Sequence, residues 1–241
     1  MVLTVVAACL PLGLDEFLAA NWMKGGALLA PLIVVFSCAR RRRANDPFLV
    51  DVETMSCLLL AAYMAHQVEE HWIDLLGRRY ALHDILNSLV ASALGEDRYG
   101  IVTRGAIFRI NTGMVWTAGF LAILLSRRRI FPSIALAGLI FVNGLSHVVQ
   151  ALATQAYNPG LATSLVFFLP LSLAYGTSTL RAGALSPRMA ALGVLWGVFA
   201  HLILFGGLIA ANVLALFPVA VYHGSLVLWG LLPGLASRHS A

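Results

Sequence analysis

Six consecutive residues, His66-Gln67-Val68-Glu69-Glu70-His71, put two carboxylates and two imidazoles into an otherwise apolar stretch. On a helix, positions i, i+3 and i+4 share a face. That spacing brings His66, Glu69 and Glu70 together and turns His71 aside. Asn143 and His147 are likewise one turn apart. Imidazole nitrogen and carboxylate oxygen are ordinary ligands of zinc or iron. His66, Glu70 and His147 form a two-histidine, one-carboxylate set that leaves a position open for water or substrate. The expected cofactor is a divalent metal, zinc or iron. Glu69 and Glu70 are candidates for a general base, or for orienting a ligand from behind it. Asn143 and Arg109 complete the candidate catalytic groups, with Asn111, His201 and His223 behind them.

Two other readings of the same residues stay open. In one, Glu69 or Glu70 pairs with Arg109 while Asn111 and Asn143 bridge neighbouring helices, giving a purely structural polar network. In the other, the glutamates and histidines pass protons.

These residues need elements to hold them, and the sequence supplies apolar spans. A helix crossing a bilayer needs about 20 apolar residues. Seven stretches approach that length: 17–39, 52–73, 105–126, 131–154, 160–180, 188–211 and 212–235. The expected architecture is all-α, a polytopic transmembrane helical bundle forming one domain over 1–241, with Met1–Leu14 able to add half a span. Between the second and third spans, Leu82, Ile85, Leu86, Leu89, Val90, Ala93 and Leu94 recur at helical spacing. His83, Asp84, Asn87 and Ser88 take the other face. This predicts an amphipathic helix over 79–94 lying in the interface, as a lid or as a plain connector.

Composition agrees. Hydrophobic residues make up 60% of the 241 and charged residues 11%, against roughly half and a quarter in soluble domains. The apolar runs are continuous rather than alternating, which disfavours a β-barrel. Net charge is +5, but the arginines stand in short runs at the ends of apolar stretches. That is a topology signal rather than a nucleic-acid stripe. Arg40–Arg43, Arg127–Arg129, Arg181 with Arg188, and Arg238 follow spans one, three, five and seven. They put the N-terminus outside and the C-terminus in the cytoplasm. Arg78, Arg79, Arg98 and Arg104 dilute the pattern. Cys9, Cys38 and Cys57 show no paired spacing and read as small buried hydrophobes. The first ten residues lack the basic start of a cleaved signal peptide.

All eleven acidic residues lie at or before Asp97. Glu69 and Glu70 are therefore the carboxylates available at depth. At about 1.5 Å of rise per residue, His66 lies about 23 Å, His147 about 24 Å and His201 about 20 Å from the cytoplasmic ends of their spans. Arg109 and Asn111 fall one to two turns below the outer end of the third span, and His223 near mid-membrane. Ionisable groups inside a bilayer are costly and face the bundle interior, so this convergence is the expected site.

His66…Glu69-Glu70, then Asn143…His147, then Tyr157-Asn158-Pro159-Gly160 resemble the HXXEE family of bacterial membrane proteins, over roughly residues 50 to 175. The resemblance implies a shared site at His66, Glu69, Glu70, Asn143 and His147 but names no reaction. The chain is also similar, more distantly, to intramembrane proteases of the CAAX-processing type. Those carry paired glutamates followed by an arginine, where this chain has Asp74.

The resulting expectation is a metal-dependent membrane enzyme, hydrolytic or oxidative, acting on a lipid-like or other apolar substrate near the outer leaflet. Its partners are the bilayer and that substrate, without nucleic acid. A ferritin-like diiron site wants about four glutamates and finds two. The alternative from another class is a proton-coupled transporter, against which stands the lack of an internal repeat. A retinal protein needs a core lysine, and the single lysine, Lys24, lies near the outer end of the first span. A non-catalytic membrane scaffold is the fourth reading.

Overall fold

The computed structural model describes residues 12–41 and 47–236. Eight helices run through them: α1 (Leu12–Arg41), α2 (Val52–His71), α3 (Ala81–Leu94), α4 (Arg104–Leu125), α5 (Phe131–Thr154), α6 (Leu161–Arg181), α7 (Pro187–Asn212) and α8 (Val219–Ala236). No β-strand occurs among the described residues; Ile73 and Arg79 form one isolated bridge. The fold is all-α. Five helices, α1 and α4 to α7, are long and apolar enough to cross a membrane, as befits an integral membrane protein. Of the Met1–Leu14 half-span, residues 1–11, with Cys9, lie outside the described residues, and Leu12–Leu14 open α1.

The helix starts follow capping chemistry. Asp51 caps α2, accepting from the Glu53 and Thr54 N–H groups, and Ser186 caps α7 from the Met189 N–H ahead of Pro187. A side-chain acceptor at that position satisfies a donor the helix leaves open. The last helix, expected from residue 212, begins at Val219, because α7 runs on to Asn212 and residues 213–218 make the turn.

Helix α2 is the axis of the bundle. It packs against α1, α3, α4, α5 and α6, and 15 of its 20 residues are buried. Its neighbours, not lipid, surround it, which is why it tolerates Glu53, Gln67, Glu69 and Glu70. Glycines let the outer helices close in. A Cβ on Gly138 of α5 would collide with the Gly193 carbonyl of α7, and one on Gly197 would come within 2.5 Å of the Gly138 carbonyl. Small residues allow this approach where lipid gives no hydrophobic drive between helices.

Two helices carry π-helical turns, Asn111–Trp116 in α4 and Ser164–Phe168 in α6. Such turns are rare and frequent at functional sites; both here face the polar part of α2. Helix α3 differs from its expected amphipathic division. Asn87 is buried rather than on the polar face. Its amide accepts from the Gly100 and Val102 N–H groups and donates to the Val102 carbonyl. Leu89 and Leu94 point outward.

The basic runs come together at one end. Arg40 and Arg127 both pair with Glu53, Arg41 pairs with Asp51, and Arg129 donates to the Gly234 carbonyl at the close of α8. The C-terminal end of α2, the polar end, lies at the other pole, some 30 Å of helix rise away.

Candidate metal centre

At that pole the last turns of α2 and α5 meet the turn that starts α6. His66 and Glu70 project from one face of α2, and His147 from α5. His66 Nε2 is 3.2 Å and His147 Nε2 3.0 Å from the same oxygen, Glu70 Oε1. The three ligand atoms lie within 4.8 Å of one another, and all three residues are buried. Tetrahedral ligands at zinc-like bond lengths of about 2.0–2.1 Å stand roughly 3.3 Å apart, close to the two spacings observed to Oε1.

The hydrogen bonds behind the histidines fix which nitrogen faces the cluster. Asn158 donates its amide to the His147 carbonyl at 2.9 Å, so Oδ1 is left to accept, and His147 Nδ1 lies 2.6 Å from it. His147 therefore carries its proton on Nδ1. Glu69 is an acceptor-only carboxylate filled by four donors. Tyr157 O–H (2.8 Å) and Ala162 N–H (3.1 Å) reach Oε1; Thr163 N–H (2.8 Å) and Thr163 O–H (2.5 Å) reach Oε2. These occupy its roughly four lone-pair sites. The Thr163 hydroxyl spends its proton on Glu69 and must accept from His66 Nδ1, 2.7 Å away. With both rings neutral, both Nε2 atoms then offer lone pairs toward an anionic oxygen. His66 Nε2 makes no hydrogen bond despite its proximity to Glu70. Two lone pairs and a carboxylate oxygen converging in a buried space repel one another unless a cation lies among them. The donor set fits a divalent ion.

Gly160 closes the space. Its φ of +98° is one that L side chains rarely adopt, and a Cβ there would sit 2.6 Å from His147 Cε1 and 2.7 Å from His66 Cε1. The turn Tyr157–Gly160 is therefore the wall of the cluster. Tyr157 latches it: its hydroxyl donates to Glu69 and accepts the Leu75 N–H at 3.2 Å. Burial pushes this phenol well above its usual range, and the Glu69 carboxylate reinforces the shift against the Leu75 N–H, so it stays a donor.

The second oxygen of Glu70 faces the other way. His71 Nε2 lies 3.2 Å from Oε2, so His71, expected to turn aside, does leave the ligand face but still touches the same carboxylate. Beyond it, Gln67 donates to Asn111 Oδ1 at 2.9 Å and accepts from the Trp116 indole at 2.8 Å, and Asn111 donates to the Ile107 carbonyl. Asn111 thus lies in a network supporting the polar turn of α2.

The remaining expected residues are not drawn into the cluster. Asn143 is one turn below His147 on α5; its Oδ1 is buried without a hydrogen-bond partner. Arg109 folds back along α4, its Nη1 3.4 Å from where a Cβ on Gly105 would stand. Glu69 and Glu70 have the partners given above rather than Arg109, because α4 presents Asn111 to this face of α2. His201 engages its own helix at the Gly197 carbonyl (2.8 Å), and the His223 ring packs against Tyr222 on α8. Depth alone placed these two with the others; depth does not fix the direction a side chain takes. Asn158, Gly160 and Thr163 were legible only as a turn and a following helix, since nothing in their spacing announces contact with α2.

Residues 57–175 match the family model described as "Protein of unknown function with HXXEE motif". The match covers just under half of the chain and contains every residue of the cluster and of its wall. No curated protein and no solved structure matches.

Proposed function

Over residues 57–175 the chain belongs to the HXXEE-motif family, and from that premise we propose that it is a metal-dependent membrane enzyme acting on a lipid-like substrate. The observation that carries this is the pair of Nε2 lone pairs aimed, by the hydrogen bonds of Asn158 and Thr163, at one oxygen of Glu70. His66, Glu70 and His147 would hold the ion. Zinc or iron bound there would supply Lewis acidity and lower the pKa of a bound water; hydrolysis is favoured over oxidation. Glu69, with all acceptor sites filled, orients His66 through Thr163. His71 holds Glu70 from behind, as outer partners of metal ligands do. Asn143, its oxygen unspent beside His147, is the group left to bind substrate or water; Arg109, which lies along α4 outside the cluster, is proposed as a catalytic cation on its depth alone.

In this reading α2 and α8 also cross the bilayer, giving seven spans in one domain, and α3 lies in the outer interface. The basic end is cytoplasmic, with the N-terminus outside and the C-terminus inside a bacterial cytoplasmic membrane.

Metal analysis of the purified protein tests the assignment. One zinc or iron per chain, lost in both Glu70→Gln and His147→Ala variants that remain folded, supports it. A metal-free wild type whose stability falls in both variants makes the cluster a structural network.

A second reading has its own support. His66, Thr163, Glu69 and Tyr157 form a continuous chain of hydrogen bonds from the cluster to the Leu75 N–H at the surface. Such a chain suits a proton-coupled transporter in which a proton, not a metal, sits between His147 and Glu70. Proton uptake by metal-free protein in liposomes, abolished by Glu70→Gln, would establish it instead.

A further inference from the structure

A groove of about 410 Å³ runs along the seam between α2 and α6, within the size range of small-molecule sites. Ala65, Val68 and Ile73 form one wall, and Ala162, Val166 and Phe167 the other. It is open on the α6 side and also at its loop end, where Leu75 is 70% exposed. Val166 is 62% exposed and its neighbour Leu165 53%, so the mouth faces the side on which lipid lies. From Ala65 to the end of α2 at His71 the rise is about 9 Å, over half of the roughly 15 Å of one leaflet's hydrocarbon.

Polar atoms occupy one end only, where Glu69, Asp74 and Thr163 line the groove. Asp74 is neutralised by Arg78, and Glu69, still charged, has both oxygens covered by donors. Glu69 is filled by four donors, and Asp74, its side chain fully buried, binds the Arg78 guanidinium at 2.8 Å and the Leu76 and Arg78 N–H groups. The rim above carries Arg78, whose guanidinium is already paired with Asp74, and the exposed Arg79. The long axis therefore reads apolar, then polar, then basic at Arg79, in the order of an acyl chain, its ester region and an anionic headgroup.

We propose that this groove binds one acyl chain of an anionic bilayer phospholipid, headgroup at Arg79, and that this lipid is the substrate class of the adjoining centre. The second half of the proposal rests on the metal-enzyme reading. Thr163 links the two: it lines the groove and its hydroxyl holds His66. A bound chain lies one side chain away from the ligand set. Leu75 and Leu76, both largely exposed at the same rim, immerse the loop at the depth from which a lipid slides in.

The test uses the full chain in phosphatidylcholine nanodiscs with a trace of phosphatidylglycerol carrying a diazirine on one acyl chain. Photolabelled peptides are mapped by mass spectrometry. Label concentrated on the α2 and α6 walls is expected, displaced about fivefold better by unlabelled phosphatidylglycerol than by phosphatidylcholine, since Arg79 contributes about 1 kcal/mol toward an anionic surface. Val166→Trp, which fills the mouth, is expected to lose this label while keeping its metal content; Ala65→Leu is the second variant should the first not fold. Label spread equally over Leu124, Leu152 and Leu202 on the outer surface, or unchanged in a folded groove variant, overturns the site. Equal displacement by both lipids overturns the anionic headgroup. Metal-loaded protein without groove label refutes the lipid site and leaves the centre standing. Metal-free protein with groove label refutes the substrate assignment and leaves the lipid site.

Discussion

The chemistry of the site depends less on its three ligands than on the atoms behind them. Imidazole can present either nitrogen, and here Thr163 and Asn158 choose Nε2 for both histidines. Thr163→Val removes the acceptor for His66 Nδ1 and one donor to Glu69. Metal affinity is expected to fall about 10- to 100-fold, measured by chelator competition, while Thr163→Ser, which keeps the hydroxyl, retains it. A change in neither variant, despite bound metal, would remove Thr163 from any positioning role. Gly160→Ala sets a methyl group against both imidazoles in a backbone conformation hostile to it. A loss of about 1–3 kcal/mol is expected, seen as a lower thermal midpoint in detergent, together with reduced metal content.

At the scale of elements, α2 is held from both ends. Its cap, Asp51, is pulled two ways: burial raises its carboxyl, but the Thr54 hydroxyl, Arg41 and the Thr54 and Glu53 N–H groups outweigh this and hold it below the usual aspartate range. A carboxyl lowered on folding contributes stability that is present above its unfolded value, near pH 4, and lost as pH falls through the folded value below it. Asp51→Ala is expected to cost about 1 kcal/mol at neutral pH. Asp51→Asn, which still caps, should lose little there and should flatten the acid limb of the stability profile. Equal acid sensitivity in wild type and Asp51→Asn would assign that limb elsewhere. The crossing of α5 and α7 is equally specific. Gly138→Leu drives a side chain into the Gly193 carbonyl, and backbone cannot step aside as a flexible side chain does. Overpacking costs about 1–3 kcal/mol where side chains can adjust; here the expected result is loss of a monodisperse peak in size-exclusion chromatography.

Over the whole molecule, polarity is split between poles. Arginines from α1 and the α4–α5 turn gather with the Asp51/Glu53 start of α2 at one end, and the buried His–Glu cluster lies at the other. On the positive-inside rule we propose that the arginine pole is cytoplasmic. A fluorescent-protein fusion at the C-terminus is expected to mature, and an alkaline phosphatase fusion there to stay inactive; phosphatase inserted at the 95–100 connection is expected to be active. The reverse pattern would invert the molecule and place the cluster near the cytoplasm.

By itself the sequence determined that the chain is helical, apolar enough for a bilayer, and supplied with two deep carboxylates and a few histidines. Those follow from composition and from the helical period, which a single strand of text carries. It paired His66 with Glu70 because one turn of helix does so whatever surrounds it. Tertiary structure decided everything that depends on direction across helices. It joined His147 to Glu70, saturated Glu69 through Tyr157, Ala162 and Thr163, and left His201 and His223 on other contacts. It also made Asn87 a buried organiser instead of a polar-face residue. Rise along an axis gives the depth of a residue; only the packing of neighbouring helices gives the azimuth at which its side chain points, and ligand sets are made of azimuths.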